Sequence, residues 1–418
     1  MEVDKTTLDD LSISNSEEEF SVLHKLDLTL TSNGRNQLHR SITAQMKDIT
    51  AIQGIQSTLQ LIGRHLEEWP ARITNGTIKV VEGFFETGFD PIPENPSSFT
   101  AYSYKFMHGA DYSFVRYSLT HCFDFLKGLK ELNDLLNKGN TPAALQKNLA
   151  EIEKINSRAE LADIASKNNA AGLSLVESLR LARFLRLEFK QQMLRLLQAH
   201  AQLDAWYSMA MAIRKYNLVF PEFIESPQPF IEISALHHLL LDKPVNYDMN
   251  LNRQTNFMFL TGANMAGKST FIKAVGVAVF LAHAGMGVPA SKMALSIFDG
   301  MLSNINVMDN IVKGESYFFN EVQRIKSTIQ KVNDSRKWLI LIDELFKGTN
   351  VQDAMKCSLA VIEGLLKIRN SIFILSTHLY EIGESLKVYP NIHFNYFETT
   401  IQNEQISLRD LETSGFQR

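Results

Sequence analysis

The residue types best suited to phosphate chemistry stand together between Phe257 and Thr270, where the chain reads Phe-Met-Phe-Leu-Thr-Gly-Ala-Asn-Met-Ala-Gly-Lys-Ser-Thr. Gly262, four residues, then Gly267, Lys268 and Ser269 is the phosphate-loop spacing. Two glycines allow backbone angles and a close approach that a Cβ would forbid. Successive N–H groups can then point at phosphate oxygens, at the positive end of a helix opening at Lys268. Gly262, Ala263, Asn264, Met265, Ala266, Gly267, Lys268, Ser269 and Thr270 are therefore the candidate nucleotide-binding segment. The Lys268 ammonium is expected to reach the β- and γ-phosphates, and the Ser269 hydroxyl to ligate Mg²⁺. The context supports this: Phe257 to Thr261 reads as a buried strand, and Phe271 to Ala282 has no Pro and can continue as helix.

A second half of the site follows downstream. Trp338 to Glu344 reads Trp-Leu-Ile-Leu-Ile-Asp-Glu, a continuous apolar run that suits a central parallel strand buried on both faces. At its end Asp343 can hold Mg²⁺, directly or through water, and Glu344 can orient and polarise an attacking water. Ser376-Thr377-His378 ends the next apolar run. A histidine at the carboxyl end of a strand faces the ligand side of an open α/β sheet, so His378 is a candidate γ-phosphate sensor. Gly348-Thr349-Asn350 reads as a turn with polar tips. Gly314-Glu315-Ser316, before Tyr317-Phe318-Phe319, says little in isolation, and Ser316 can equally be a helix N-cap.

Elements that could position these groups alternate after Phe220-Pro221 and Ser226-Pro227. Short apolar runs at Phe230 to Ile233, Phe257 to Thr261, Trp338 to Ile342 and Ile372 to Ser376 alternate with helical stretches. This predicts an α/β domain with a mainly parallel sheet over residues 226–418. Residues 20–225 predict an all-α core or lever domain. Within it, Asn33-Gly34 is expected to break a helical run. Residues 69–104, with Pro70, Pro91, Pro93 and Pro96, are expected to form an irregular loop, with one short strand at Ile78 to Val81 and aromatics packing it down. Thr141-Pro142 reads as a helix start, and Ser174 to Tyr216 as one long helix or two stacked ones. On that stretch Arg180, Arg183, Arg186, Lys190 and Arg195 form either a solvated face, the simpler reading, or a phosphate-contacting stripe. Residues 1–19, rich in Asp and Glu, are expected to be a solvated acidic tail.

Composition narrows the class. With 418 residues, 45% hydrophobic and 21% charged, the chain suits a soluble protein of two or three domains. Its net charge of −4 provides no global attraction for nucleic acid. The two cysteines, Cys122 and Cys357, lie far apart and fit a reducing compartment rather than a disulfide framework or zinc site. No secretory signal opens the chain and no apolar stretch is long enough to span a membrane, so a cytoplasmic protein is expected.

Taken in order, the phosphate loop with Asn264-Met265 inside it, Val288-Pro289-Ala290, Gly314-Glu315-Ser316 with Glu321, Asp343-Glu344 followed by Gly348-Thr349, and Thr377-His378 resemble the MutS family of mismatch-repair ATPases. The likeness covers roughly residues 226–400. Upstream it continues more weakly, through Leu26-Asp27-Leu28 to Leu38, Gln53 to Leu61, and Leu203-Asp204-Ala205 to Phe223. The resemblance implies an ABC-like P-loop ATPase that uses ATP and Mg²⁺ and forms a head-to-tail homodimer. Ser316 would then reach the γ-phosphate bound by the opposite subunit, making it catalytic beside Glu344, His378 and Lys268. Gly348 to Asn350 would lie at the same interface, so that ATP cements the dimer and hydrolysis loosens it. DNA and a repair or recombination protein are the implied partners. Departures are present: Asn304 stands where the family usually carries Arg, Ala263 and Ala266 replace Pro and Gly, and Lys347 replaces Arg. Mismatch-reading and connector domains, a Gly-x-Phe-x-Glu element and a terminal helix-turn-helix are not found. The expected function is a MutS-like ATPase coupled to DNA without reading mismatches by itself. The alternative is a nucleotide-switched protein–protein interaction module.

Overall fold

The computed structural model describes residues 1–14, 20–167, 169–263, 266–305, 317–400 and 405–410. The chain divides into two compact units that interleave in sequence. One holds residues 1–26, 42–56 and 213–418, and the other 27–41 and 57–212. This differs from the expected division at residue 226. Helical periodicity marks a buried face but does not say which core will cover it, and residues such as Val22, Leu26 and Ile52 are buried in the sheet-containing unit.

That unit is built from eleven strands among its described residues: β1 (Glu2–Val3), β2 (Glu222–Phe223), β3 (Ile231–Leu236), β4 (Tyr247–Leu251), β5 (Phe257–Gly262), β6 (Lys292–Leu295), β7 (Gly300–Asn304), β8 (Trp338–Asp343), β9 (Ile372–Ser376), β10 (Ile392–Thr400) and β11 (Gln405–Asp410). The main sheet runs β1-β7-β8-β9-β5-β10-β11. Its neighbours are parallel except β10 and β11, which are antiparallel. A smaller sheet runs β2-β6-β3-β4. The fold class is therefore α/β with a mainly parallel sheet, accompanied by a helical region. The continuous apolar run of β8 is central as its pattern demands: Trp338 to Ile342 are all at most 1% exposed. Gly300 lets β7 lie against it, since a Cβ there would meet the Trp338 ring at 2.2 Å. Phe257 and Phe373 stack 5.7 Å apart across β5 and β9.

The acidic start of the chain is folded, against the expectation of a solvated tail. β1 adds to the edge of β7, Leu11 and Ile13 are fully buried, and Thr7 and Asp10 are buried polar residues. Its acids have basic partners that lie far away in sequence: Glu2 pairs with Arg336, and Asp4 approaches Lys331. Only residues 15–19 of that stretch fall outside the described set.

His283, at the end of the helix Lys268–His283, is wholly buried. Phe298 N–H donates to its Nε2 at 3.1 Å, so Nδ1 carries the proton and donates to Val279 O at 2.9 Å. Burial pulls its pKa down from 6.5 to about 4, and the unfolded chain therefore takes the proton first. The stabilising effect of the neutral ring is full above pH 6.5 and is lost as pH falls toward 4, by about 3 kcal/mol for this shift. Urea denaturation at pH 7 and pH 4 is expected to show a shallower pH dependence for His283→Gln than for the native chain. An identical dependence would rule His283 out as a source of acid sensitivity.

The helical unit departs from expectation around residues 69–104. Asn75–Glu86 and Ser98–Met107 are helices, each opened by a reciprocal cap, Thr74 with Thr77 and Ser97 with Thr100. Ile78 to Val81 is thus helical, not a strand. Isolated glycines at Gly76 and Gly83 lower helix propensity by only about 1 kcal/mol each, which capping and burial of Phe84 and Phe85 outweigh. The prolines at 91, 93 and 96 stay between the helices. Phe84, Phe85, Phe89 and Phe114 form a chain of ring contacts, whereas Phe99 is 81% exposed.

Gly34 lies inside the helix Ser32–Thr43 and does not break it. Its missing side chain admits Asp204, whose Oδ2 would sit 2.0 Å from a Cβ. That carboxylate accepts from Leu30 N, Thr31 N and Thr31 Oγ1. Thr141 does not cap the helix Ala143–Asn156, because Pro142 occupies the cap position. Ser174 to Tyr216 resolves into two helices, Leu175–Leu187 and Lys190–Lys215. Of the basic stripe, Arg186 donates to Phe84 O and Thr87 O and covers the Phe89 ring. Arg183 meets Glu94, while Arg180, Lys190 and Arg195 are exposed. Among the described residues, no helix is long and apolar enough to cross a membrane.

Candidate functional site

β5 delivers the glycine-rich loop at its carboxyl end. Gly262 adopts φ +145° and Gly267 φ +94°, angles that favour glycine. At Gly262 a Cβ would also lie 2.9 Å from the Phe397 Cβ. Gly267 precedes the helix Lys268–His283 without a side-chain cap, so its first-turn N–H groups remain available to an anion. Tyr247, Phe271 and Phe397 support this turn with ring centroids 5.4 to 6.0 Å apart. Phe271 belongs to the helix that follows the loop, whereas Tyr247 and Phe397 come from β4 and β10, so nothing in the sequence signalled their approach. Ala263 is exposed, Ala266 buried and Thr270 half-buried. Asn264 and Met265 lie outside the described residues.

Lys268 is buried, and its Nζ donates to Gly262 O at 2.8 Å and Ala263 O at 3.0 Å. Burial draws its pKa down, while the carboxylates of Glu344 and Asp343 act in the opposite direction. Ser269 Oγ donates to Asp343 Oδ2 at 2.6 Å. The other carboxylate oxygen accepts from Ser376 Oγ of β9, because register pairs Asp343 with Ser376. Both predicted metal-ligating residues are therefore in direct contact. An all-oxygen donor set of one hydroxyl and one carboxylate suits Mg²⁺, which normally completes its shell with phosphate oxygens and water.

After Asp343 the chain turns sharply. Glu344 and Phe346 have φ of +62° and +60°, a conformation uncommon for residues with a Cβ and held here by the surrounding structure. Glu344 N–H donates to Ser376 O at 2.9 Å. Its Oε2 stands 3.6 Å from Lys347 Nζ and 3.7 Å from His378 Nδ1. The predicted acid pair and the predicted sensor thus share one locality, with His378 about half-exposed. Glu321 is the other holder of the turn. Buried, it accepts from Lys347 N at 3.1 Å and Gly348 N at 3.2 Å. Burial raises its pKa, and these N–H donors oppose that shift. The sequence placed Glu321 beside a motif but offered no sign of this clamp. Asn350 caps the helix Val351–Leu365 by accepting from Asp353 N. Ser316 lies outside the described residues, which resume at the helix Tyr317–Val332.

Comparison with known proteins locates this site within a recognised domain. A family model for MutS domain V matches residues 258–416. The chain is 31% identical over 195 residues to the DNA mismatch repair protein MutS of Petrotoga mobilis, covering 46% of this chain and 24% of that protein. It is 33% identical over 204 residues to the DNA mismatch repair protein spellchecker 1 of Drosophila melanogaster, covering 46% and 22%. A MutS of Lactococcus lactis is 29% identical over 221 residues, covering 51% and 26%. The matched parts span about a quarter of the length of these relatives.

Proposed function

We propose that this chain, whose residues 258–416 match the family model for MutS domain V, is a P-loop ATPase that binds ATP at the glycine-rich loop, hydrolyses it, and couples the cycle to DNA in mismatch repair or a recombination-related process. The observation that carries this reading is the Ser269–Asp343 contact beside Lys268, with Glu344 one residue beyond. N–H groups at the start of the helix Lys268–His283 and the Lys268 ammonium bind and orient the phosphates. Ser269 and Asp343 would hold Mg²⁺, which would supply charge neutralisation on the phosphate oxygens. Glu344 orients the attacking water and accepts its proton, and His378, next to Glu344, senses the γ-phosphate. Ser316 acts across a homodimer on the partner's nucleotide. The domain division proposed is a helical core or lever followed by the ATPase, with the first residues belonging to the latter.

The first experiment is ATP hydrolysis by the purified chain with branched, mismatched and single-stranded DNA, and with none. Turnover stimulated by one form supports the reading and identifies its substrate. Absence of turnover under every condition defeats it. Robust turnover indifferent to all DNA favours a nucleotide-switched protein-interaction module. One observation speaks for that second reading: Phe99, Tyr102 and Phe106 recur along the helix Ser98–Met107 and are 81%, 68% and 91% exposed, an apolar face suited to a protein partner.

A further inference from the structure

The folded start of the chain meets three elements that flank the candidate site. Leu11 packs against the helix Lys268–His283 at Gly276, where a Cβ would fall 2.5 Å from the Leu11 Cδ2. Thr7 Oγ1 accepts from Ser303 N of β7 at 3.0 Å. Asp10 is 2% exposed, and its Oδ2 accepts from Ser303 Oγ at 2.5 Å, Ile305 N at 3.1 Å and Arg324 Nη2 at 2.7 Å. Arg324 also donates to Ser303 O at 2.7 Å. It lies two turns into the helix Tyr317–Val332, which opens immediately after Gly314-Glu315-Ser316 in the sequence and carries Glu321.

We infer that Asp10 is a positioning residue for the helix Tyr317–Val332: through Arg324 it fixes that helix against β7, and so sets where the Glu321 clamp stands. The consequence for catalysis rests on the ATPase reading above. The geometry supports a specific tie beyond general packing. Apolar contacts of Phe318, Val322, Ile325 and Ile329 bind one face of the helix to the core, but such contacts permit sliding. A buried carboxylate shared among the Ile305 N–H just past β7, the Ser303 hydroxyl and the Arg324 guanidinium adds a directional tie, beside the Asn304 Nδ2–Thr328 Oγ1 bond and the Glu321 clamp. Removing one member of such a group leaves the others unpaired in a low-dielectric setting. The partners of Asp10 given above include neither Asp343 nor a described residue of the glycine-rich loop, so nucleotide binding at Lys268 is expected to be retained when Asp10 is changed.

Two measurements on the full chain test this. Asp10→Asn keeps the size of the side chain and an acceptor for Ile305 N while removing the charge that holds Arg324. Hydrogen exchange is expected to quicken about tenfold or more in Tyr317–Val332 while the helix Val351–Leu365 changes little. In steady-state kinetics, kcat for ATP is expected to fall about tenfold, with nucleotide Kd within about twofold. Arg324→Met is expected to reproduce both effects, and the double variant to be no worse than either single one. Equal exchange in the two helices, or kcat preserved in a folded Asp10→Asn protein, would overturn the inference. Absence of turnover in the native chain would instead defeat the ATPase reading, leaving the exchange measurement to decide on Asp10.

Discussion

Glu344→Gln is expected to bind ATP as tightly as the native chain and to hydrolyse it about 10²- to 10⁴-fold more slowly, the usual contribution of a positioned general base. The amide keeps the size and one acceptor of the carboxylate, but it cannot take a proton from water. Its surroundings are arranged for a carboxylate: Oε2 stands within 4 Å of both Lys347 Nζ and His378 Nδ1. The backbone at Glu344 sits at φ +62°, so the side chain leaves β8 in a direction that a regular strand would not provide. Gln can occupy the same backbone, and fold and nucleotide affinity are expected to be retained. Single-turnover hydrolysis together with fluorescent-nucleotide titration separates chemistry from binding. Native-like turnover by Glu344→Gln would remove this residue from the chemical step.

Lys268→Met has the opposite signature, with binding itself weakened. The methionine side chain fills much of the same buried volume without a charge. Charged hydrogen bonds contribute about 1.5–3 kcal/mol each, so loss of those between Lys268 and phosphate weakens affinity by about 10- to 100-fold or more. In the folded chain Lys268 Nζ donates to two loop carbonyls, and those acceptors lose a donor in the variant. The cost of placing a cation in a buried site is removed at the same time, so the fold is expected to persist. Thermal unfolding with and without Mg²⁺-ATP reads the outcome: the native midpoint rises with ligand, as linkage requires, and the variant's rises less at the same ligand concentration. An equal rise in both proteins would show that nucleotide binds elsewhere or without Lys268.

The candidate site was largely legible because its chemistry is local in sequence. Gly262, Gly267, Lys268 and Ser269 belong to one turn, and Asp343-Glu344 to one strand end. The apolar run before each announces a strand buried on both faces, which is why β5, β8 and β9 begin and end close to where the sequence puts them. Contacts between segments were not legible. Ser376 next to Asp343, and Glu321 under Lys347 and Gly348, follow from strand register and helix placement. The helices between residues 75 and 107 were hidden by glycines and prolines whose local cost is overridden by caps and aromatic burial.

The amino-acid sequence by itself thus determined which residues stand together at the candidate site, and that a mainly parallel sheet presents them. Those properties follow from short-range geometry: the angles two glycines permit, the reach of Lys268, and the strand-end position of two acids. Tertiary structure alone decided the role of the acidic start. Asp10 and its neighbours carry the charge pattern of a solvated tail. Only the arrival of Ser303, Ile305 and Arg324, 293 to 314 residues later in the chain, supplies the donors that make burial of that carboxylate favourable.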